Sequence, residues 1–360
     1  EEVTKKAVTS WGIDGSDIAG ITSPHQTQDL EIFKGDYAGV SKAGREVIVP
    51  LRERKTTDRR QRRLTEAGVP NGFSITDRKP SWMKAKIEVN NGYRRVRSTL
   101  RDLDLTTVCE EAGCPNIYEC WGKDTATFMI NGSRCTRACS FCLVDTQRPV
   151  DLDEEEPERV AKAVSDLALL HVVVTAVARD DLSDGGVIGF ANTVRAIRVA
   201  SPSTTIETLV PDFGGKKDSL GCLLNERPDV VNHNIETVVR LQRAVRPSAG
   251  YARSLALLAR VKEEGITTKS GLITGLGESD DELVSTLADL ASVGVDIVTI
   301  GQYLRPTASH IPVQRWVTPQ VFEMLAQRGR ELGISHVEAG PLTRSSYNAA
   351  ESIRSLTATP

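Results

Sequence analysis

The sequence predicts an α/β protein built as a partial (β/α)6 barrel of the TIM type, and two patterns carry that expectation. Short β-branched runs alternate with longer amphipathic stretches, and the glycine-rich, polar and cysteine-rich segments fall just after the runs. In chain order the strand candidates are "TATFMI" (125–130), "HVVVTAV" (171–177), "TTIETLV" (204–210), "PDVVNHN" (228–234), "GITTKSGLI" (265–273) and "GVDIVTI" (294–300). Between the first two, "EEPERVAKAVSDLALL" (155–170) spaces its apolar residues by three and four after an acidic first turn. Before the last, "ESDDELVSTLADLASVG" (278–294) repeats the pattern with Gly294 as a stop. Strands joined by crossover helices pair in parallel, and six in succession suit an open or partial barrel better than a full eight-stranded one. A flat doubly wound sheet is the alternative, and in either form ligands gather at the carboxyl ends of the strands. That rule sets "RCTRACSFC" (134–142), "ARDDLSDGG" (178–186), "NHNIET" (232–237), "KSGLITGLGE" (269–278) and "GQYLRP" (301–306) around one mouth.

Composition narrows the function. With 45 basic and 48 acidic residues in 360, and a net charge of −3, the chain is no general polyanion binder, so nucleic acid is not the expected partner. No run of about 18 apolar residues occurs, which argues against a membrane span, and "EEVTKKAVTS" lacks the pattern of a secretory signal. A cytoplasmic location is expected, with an organelle interior as the alternative if a transit peptide was removed. Residues 1–77 read as a flexible extension, and their basic run "LRERKTTDRRQRR" (51–63) as a solvated charge run or a segment that docks an acidic partner. A packed domain begins at "RKPSWMKAKI" (78–87), giving a segment at 78–124 with its own cysteines, a barrel at 125–350 and a tail at 351–360.

Six of the seven cysteines lie between residues 109 and 142; Cys222, flanked by leucines, reads as buried and inert. A disulfide framework belongs to small secreted chains, so metal or cluster binding is the better reading here. "RCTRACSFC" sets Cys135, Cys139 and Cys142 in a Cys-x3-Cys-x2-Cys array, and three thiolates do not close a tetrahedral site. A zinc site made of two Cys-x2-Cys half-sites fits the spacing poorly, whereas a four-iron cluster can be held at three corners with one iron left open. The array, with Phe141 before its third cysteine, resembles the radical S-adenosylmethionine superfamily. That resemblance implies a partial barrel in which S-adenosylmethionine chelates the open iron and is split to a 5′-deoxyadenosyl radical.

Upstream, "CEEAGCPNIYEC" spaces Cys109, Cys114 and Cys120 as Cys-x4-Cys-x5-Cys. A strand separates the two arrays, so two clusters suit the geometry better than one shared centre. This pair, together with "TVCEEAGCPNIYECW", "ARDDLSDGG", "NHNIETV", "VRPSAGYARSL", "KSGLITGLGE", "TIGQYLRPTASHIPV" and "AGPLTRSSY", resembles the lipoyl synthase family from residue 78 to 349. The resemblance implies two [4Fe-4S] clusters, the auxiliary one held by N-terminal and C-terminal extensions of the barrel. Its fourth ligand would be a serine of Arg344, Ser345, Ser346 and Tyr347. The residues alone do not choose between the serines, and the match to the family motif falls on Ser346. A serine oxygen is a weak ligand to iron beside thiolate, suited to release. The implied activity inserts two sulfur atoms, at C6 and C8 of an octanoyl chain amide-linked to a lysine of a carrier domain. It consumes two S-adenosylmethionine and sacrifices the auxiliary cluster. Implied partners are octanoylated carriers of the 2-oxoacid dehydrogenase E2 or glycine cleavage H type, an electron donor such as ferredoxin or flavodoxin, and an iron–sulfur carrier for rebuilding.

Further candidates are Thr175, Asn234, Glu236 and Lys269, polar residues near the expected mouth that could grip S-adenosylmethionine or serve as structural polar groups. Arg179, Asp180 and Asp181 could close a loop through charge pairing, and His233 reads as a satisfied hydrogen bonder. Two rivals stand: another two-cluster radical enzyme that inserts sulfur into a different substrate, and a non-catalytic iron–sulfur electron carrier.

Overall fold

The computed structural model describes residues 56–357 except 70, 86 and 124. One sheet of seven strands runs in sequence order, with every neighbouring pair parallel. The six expected strands all form: β1 (Thr127–Ile130), β2 (His171–Ala176), β3 (Thr205–Leu209), β4 (Val230–Asn232), β5 (Thr267–Thr274) and β6 (Ile297–Gln302). A seventh, β7 (His336–Gly340), pairs along β6 from Ile297↔His336 to Gly301↔Gly340. Its sequence, HVEAG, is short, and only Val337 of it is buried, so it lacks the apolar run that marks a parallel strand covered on both faces. β1 and β7 are not paired, and the barrel is open.

Helices fill the crossovers. After β1 comes α5 (Glu156–Asp166), entered through Pro157; after β2, α6 (Val187–Ala200); after β3, α7 (Lys217–Asn225). The β4–β5 crossover holds a short α8 (Gln242–Val245) and α9 (Tyr251–Glu263). α10 (Asp280–Ser292) begins at a reciprocal capping box between Ser279 and Glu282 and stops before Gly294, whose φ of 78° is the left-handed turn expected there. α11 (Pro319–Glu331) leads into β7. One apolar layer, with Val164, Phe190, Leu223 and Val261, covers the outer face from β1 to β4. A second, with Leu258, Leu287, Phe322 and Leu325, continues under β5, β6 and β7. Each fully buried Leu or Phe contributes about 1.5–3 kcal/mol by leaving water.

Two peripheral segments clasp the barrel. Before β1 lie α2 (Asn91–Asp102), α3 (Val108–Glu111) and α4 (Ile117–Gly122), tied to β1 where Met129 N–H donates to Thr106 C=O at 2.9 Å. At the other end α12 (Ala349–Thr357) packs against both β7 and β2, spanning the open edge.

Of the expected extension over 1–77, residues 1–55 lie outside the described residues. Residues 56–66 form α1, and Leu64, Ala67 and Val69 are buried in the second apolar layer. These apolar residues follow directly on the arginine-rich run, and their packing partners are distant in sequence. No described helix is long and apolar enough to cross a membrane.

Candidate active site

The loop 131–145 leaves β1 through Asn131 and Gly132, at φ 67° and 87°, which turns the chain sharply over the carboxyl edge of the sheet. Backbone contacts then fix it: Cys135 N–H donates to Asp145 C=O at 2.8 Å, Thr136 N–H to Ala178 C=O at 3.0 Å, and Ser140 N–H to Val245 C=O at 2.8 Å. The Ser140 hydroxyl donates to Ala244 C=O at 2.9 Å, docking the loop on α8. His310 Nε2 lies 2.8 Å from Cys142 C=O, and Phe141 packs against the apolar layer beneath. Cys135 Sγ accepts from the backbone N–H groups of Arg137 (3.4 Å) and Ala178 (3.3 Å).

Burial pushes the thiol of Cys139 up to about 11 and that of Cys142 to about 12; Cys135 and Glu236 raise both further, and Cys139 also raises Cys142. Arg246 and Arg137 oppose this at Cys139. Thiols held this way stay protonated unless a metal takes the proton's place, since a coordinating cation deprotonates the thiol outright. The donor set therefore fits an iron–sulfur cluster. Among the described residues no three His, Cys, Asp or Glu side chains are arranged for a single metal ion, but a cluster spreads its ligands around a larger body.

The second trio meets the C-terminus. Cys109, Cys114 and Cys120 line one pocket with Ser346, Arg344, Tyr347, Asn116, Thr125 and Thr127. Burial, then the neighbouring cysteines, pushes Cys109 to about 11 and Cys120 to about 12; burial also raises Cys114, against the pull of the Arg344 guanidinium. The motif is stapled in place: Asn116 Nδ2 donates to Leu342 C=O at 2.7 Å, and the Tyr347 hydroxyl to Glu119 at 3.2 Å. Gly301 makes room for it, because a Cβ there would stand 2.0 Å from Thr343 C=O.

The two serines now separate. Ser346 faces the cysteine pocket, whereas the Ser345 hydroxyl accepts from Asn234 Nδ2 at 2.6 Å. The same Asn234 amide donates to Glu236 Oε1 at 3.0 Å, so one side chain touches both the carboxylate beside the first trio and the serine motif of the second. Glu236 is held at φ 67° by backbone hydrogen bonds to β5, and burial raises its carboxyl pKa.

Other candidates fall out differently. Thr175 lies near the carboxyl end of β2, its hydroxyl donating to Leu209 C=O at 2.9 Å. Lys269 is not at the mouth: it is wholly buried in the amino-terminal half of β5, with Nζ 3.0 Å from Glu207 Oε2. His233 hydrogen-bonds at both ring nitrogens, to Val210 C=O (2.8 Å) and the Ser254 hydroxyl (2.9 Å), and burial pushes its pKa down to about 4. Arg179 pairs with Asp181 at 2.9 Å, while Asp180 pairs with Arg137 at 2.6 Å, so two ion pairs hold the loop after β2. Sequence reasoning missed Arg137, which bridges Asp180 and the buried Asp212, and also Arg246 and Asn116. Arginine and asparagine are common, and only their convergence singles these out.

The family model described as the radical SAM superfamily matches residues 129–290. That of the N-terminal domain of lipoyl synthase matches residues 53–114. A lipoyl synthase of Rubrobacter xylanophilus is 55% identical over 275 residues, 76% of this chain and 86% of its own. The chain belongs to the lipoyl synthase family. A lipoyl synthase of Mycobacterium avium is 50% identical over 293 residues, 81% of this chain and 95% of its own. Among solved structures, Streptococcus suis SuiB bound to S-adenosylmethionine shares the fold with TM-score 0.50 at 12% identity, covering 63% of this chain and 55% of that one. Membership in the family makes the protein a sulfur-inserting enzyme that uses an iron–sulfur cluster and S-adenosylmethionine. The matched N-terminal region includes α1, consistent with its packing as part of the domain.

Proposed function

We propose that the protein is a lipoyl synthase that inserts sulfur at C6 and C8 of an octanoyl-lysine on a carrier domain, using two [4Fe-4S] clusters. The observation that carries the two-cluster reading is that Ser346 lines the same pocket as Cys109, Cys114 and Cys120, across more than 220 residues of chain. When bound, the clusters and S-adenosylmethionine supply hydrogen-atom abstraction and sulfur, chemistry that no side chain provides at an unactivated carbon.

The chain's own residues supply placement. Cys135, Cys139 and Cys142 would hold one cluster at three corners, in a loop that docking on α8 and His310 keeps rigid. Asn234, Glu236 and Thr175 stand near the carboxyl edge and would orient S-adenosylmethionine. Cys109, Cys114 and Cys120 would hold the auxiliary cluster with Ser346, whose hard oxygen is the ligand most easily given up. The carrier would be of the E2 or H-protein type, with a ferredoxin or flavodoxin as electron source, an iron–sulfur carrier for rebuilding and a cytoplasmic setting. The test is an anaerobic incubation of the reconstituted, dithionite-reduced protein with an octanoylated carrier domain, read by mass spectrometry. A gain of two sulfur atoms per carrier is expected. An unmodified carrier with S-adenosylmethionine cleavage intact would sink the reading in favour of another substrate, and absence of cleavage would sink every radical reading.

A further inference from the structure

An arginine cluster crowns the mouth of the barrel. α1 and the residues just after it lie over the loops that follow β4, β5 and β6. Arg240 donates to Ala67 C=O, Val69 packs beside Gly277, and Phe73 N–H donates to Val313 C=O at 2.7 Å. Arg60 on α1 donates to Ser309 C=O, one residue from the His310 that contacts Cys142. α1 also packs against α8, whose Ala244 carbonyl receives the Ser140 hydroxyl of the cysteine loop. The helix is thus one layer from the first cysteine trio.

This layer gathers Arg59, Arg60, Arg62 and Arg63 on α1 with Arg243 on α8. Burial lowers the Arg63 pKa, and Arg243, Arg59 and Arg62 lower it further, so these like charges stand close enough to repel. Arg63 Nε is buried without a hydrogen-bond partner. The carboxylate that Arg62 meets within the helix is Glu66, an exposed i,i+4 pair that contributes little. In a chain whose net charge is −3, such a concentration is local. A helix anchored by Leu64, with Ala67 and Val69 packed just past its end, could carry any polar residues on its outer face, and arginines gathered at a substrate mouth suit the attraction of an anionic surface.

We propose that the α1–α8 arginine face docks the acidic surface of the folded domain that carries the octanoyl-lysine, steering its arm into the barrel. The inference rests on the proposed substrate. Rim charges of this kind act mainly on encounter, so their loss weakens capture of the domain and flattens its salt dependence. The chemistry beneath is left unaltered.

The test compares the wild-type protein with Arg59→Gln/Arg62→Gln/Arg243→Gln in single-turnover sulfur insertion driven by dithionite. Two substrates are used: an octanoylated carrier domain with acidic residues around its lysine, and a short uncharged octanoyl-lysyl peptide. The carrier concentration giving half-maximal rate should rise about tenfold or more at low salt, and the gap should close as salt is raised. The peptide's kinetics should stay within about twofold, as should 5′-deoxyadenosine formation. Equal losses with peptide and domain, or an unchanged half-maximal concentration for the domain, would overturn the docking role. So would a defect seen only when an acidic electron-transfer protein replaces dithionite, which would assign the face to the reductant. If the wild type sulfurates neither substrate, it is the proposed activity that fails.

Discussion

Lys269 offers the sharpest test of how the barrel interior is held together. It and Glu207 are both fully buried, 3.0 Å apart, with Asn232 Nδ2 donating to the other carboxylate oxygen at 2.9 Å and His171 Nε2 3.8 Å away. Burial alone would push the Glu207 carboxyl up; the charge of Lys269, with His171 and Asn232, reverses this and holds it at about 2. Lys269→Met keeps the volume and strands that carboxylate. Breaking a buried pair on one side costs about 3–5 kcal/mol. At about 2 °C per kcal/mol for a domain of this size, the melting temperature should fall by roughly 6–10 °C. Glu207→Gln/Lys269→Met should recover more than half of that loss, because no charge is left stranded. The assay is thermal unfolding of the anaerobically reconstituted protein, with S-adenosylmethionine cleavage measured alongside. A melting temperature within about 1 °C of wild type, coupled with lost cleavage, would refute the reasoning and return Lys269 to the cofactor.

Ser346→Ala should retain S-adenosylmethionine cleavage and lose sulfur insertion, whereas Ser345→Ala should cost about 1 kcal/mol of hydrogen bonding to Asn234 and keep insertion; the reverse order, read by mass spectrometry of the carrier, would exchange the two roles. Gly301→Ala should drive a methyl group into Thr343 C=O and dislodge the serine motif. Iron should then fall from about eight per chain toward about four, with cleavage intact, and undiminished iron would contradict the packing. His233 has a folded pKa lowered from 6.5 to about 4, so its unfolded form takes up a proton first as pH falls. Stability should therefore be full above pH 6.5 and decline toward pH 4 by on the order of 3 kcal/mol. Denaturant titrations across that window should show His233→Gln with a flatter profile.

The strands were legible because parallel strands covered on both faces need continuous β-branched runs, and the six runs from "TATFMI" to "GVDIVTI" stand out for that reason. The cysteine spacings were legible because a cluster-binding loop takes its ligands from a few neighbouring positions. α1 and β7 were not: among its described side chains α1 buries only Leu64 beside its arginines, with Ala67 and Val69 just past its end, and β7 buries only Val337.

By itself the sequence determined the alternation of strands and helices, the cysteine spacings and the edge where the loops collect, since these depend on local pattern and on the handed pairing of βα units. Only the tertiary structure decided which polar groups share a site. It carried Ser346 to a pocket more than 220 residues upstream and turned Ser345 to Asn234. It also drew Lys269 down to Glu207 and laid the arginines of α1 near the mouth. Those outcomes rest on contacts between residues distant along the chain, where burial and the pairing of charges set the energy and no local pattern records the partner.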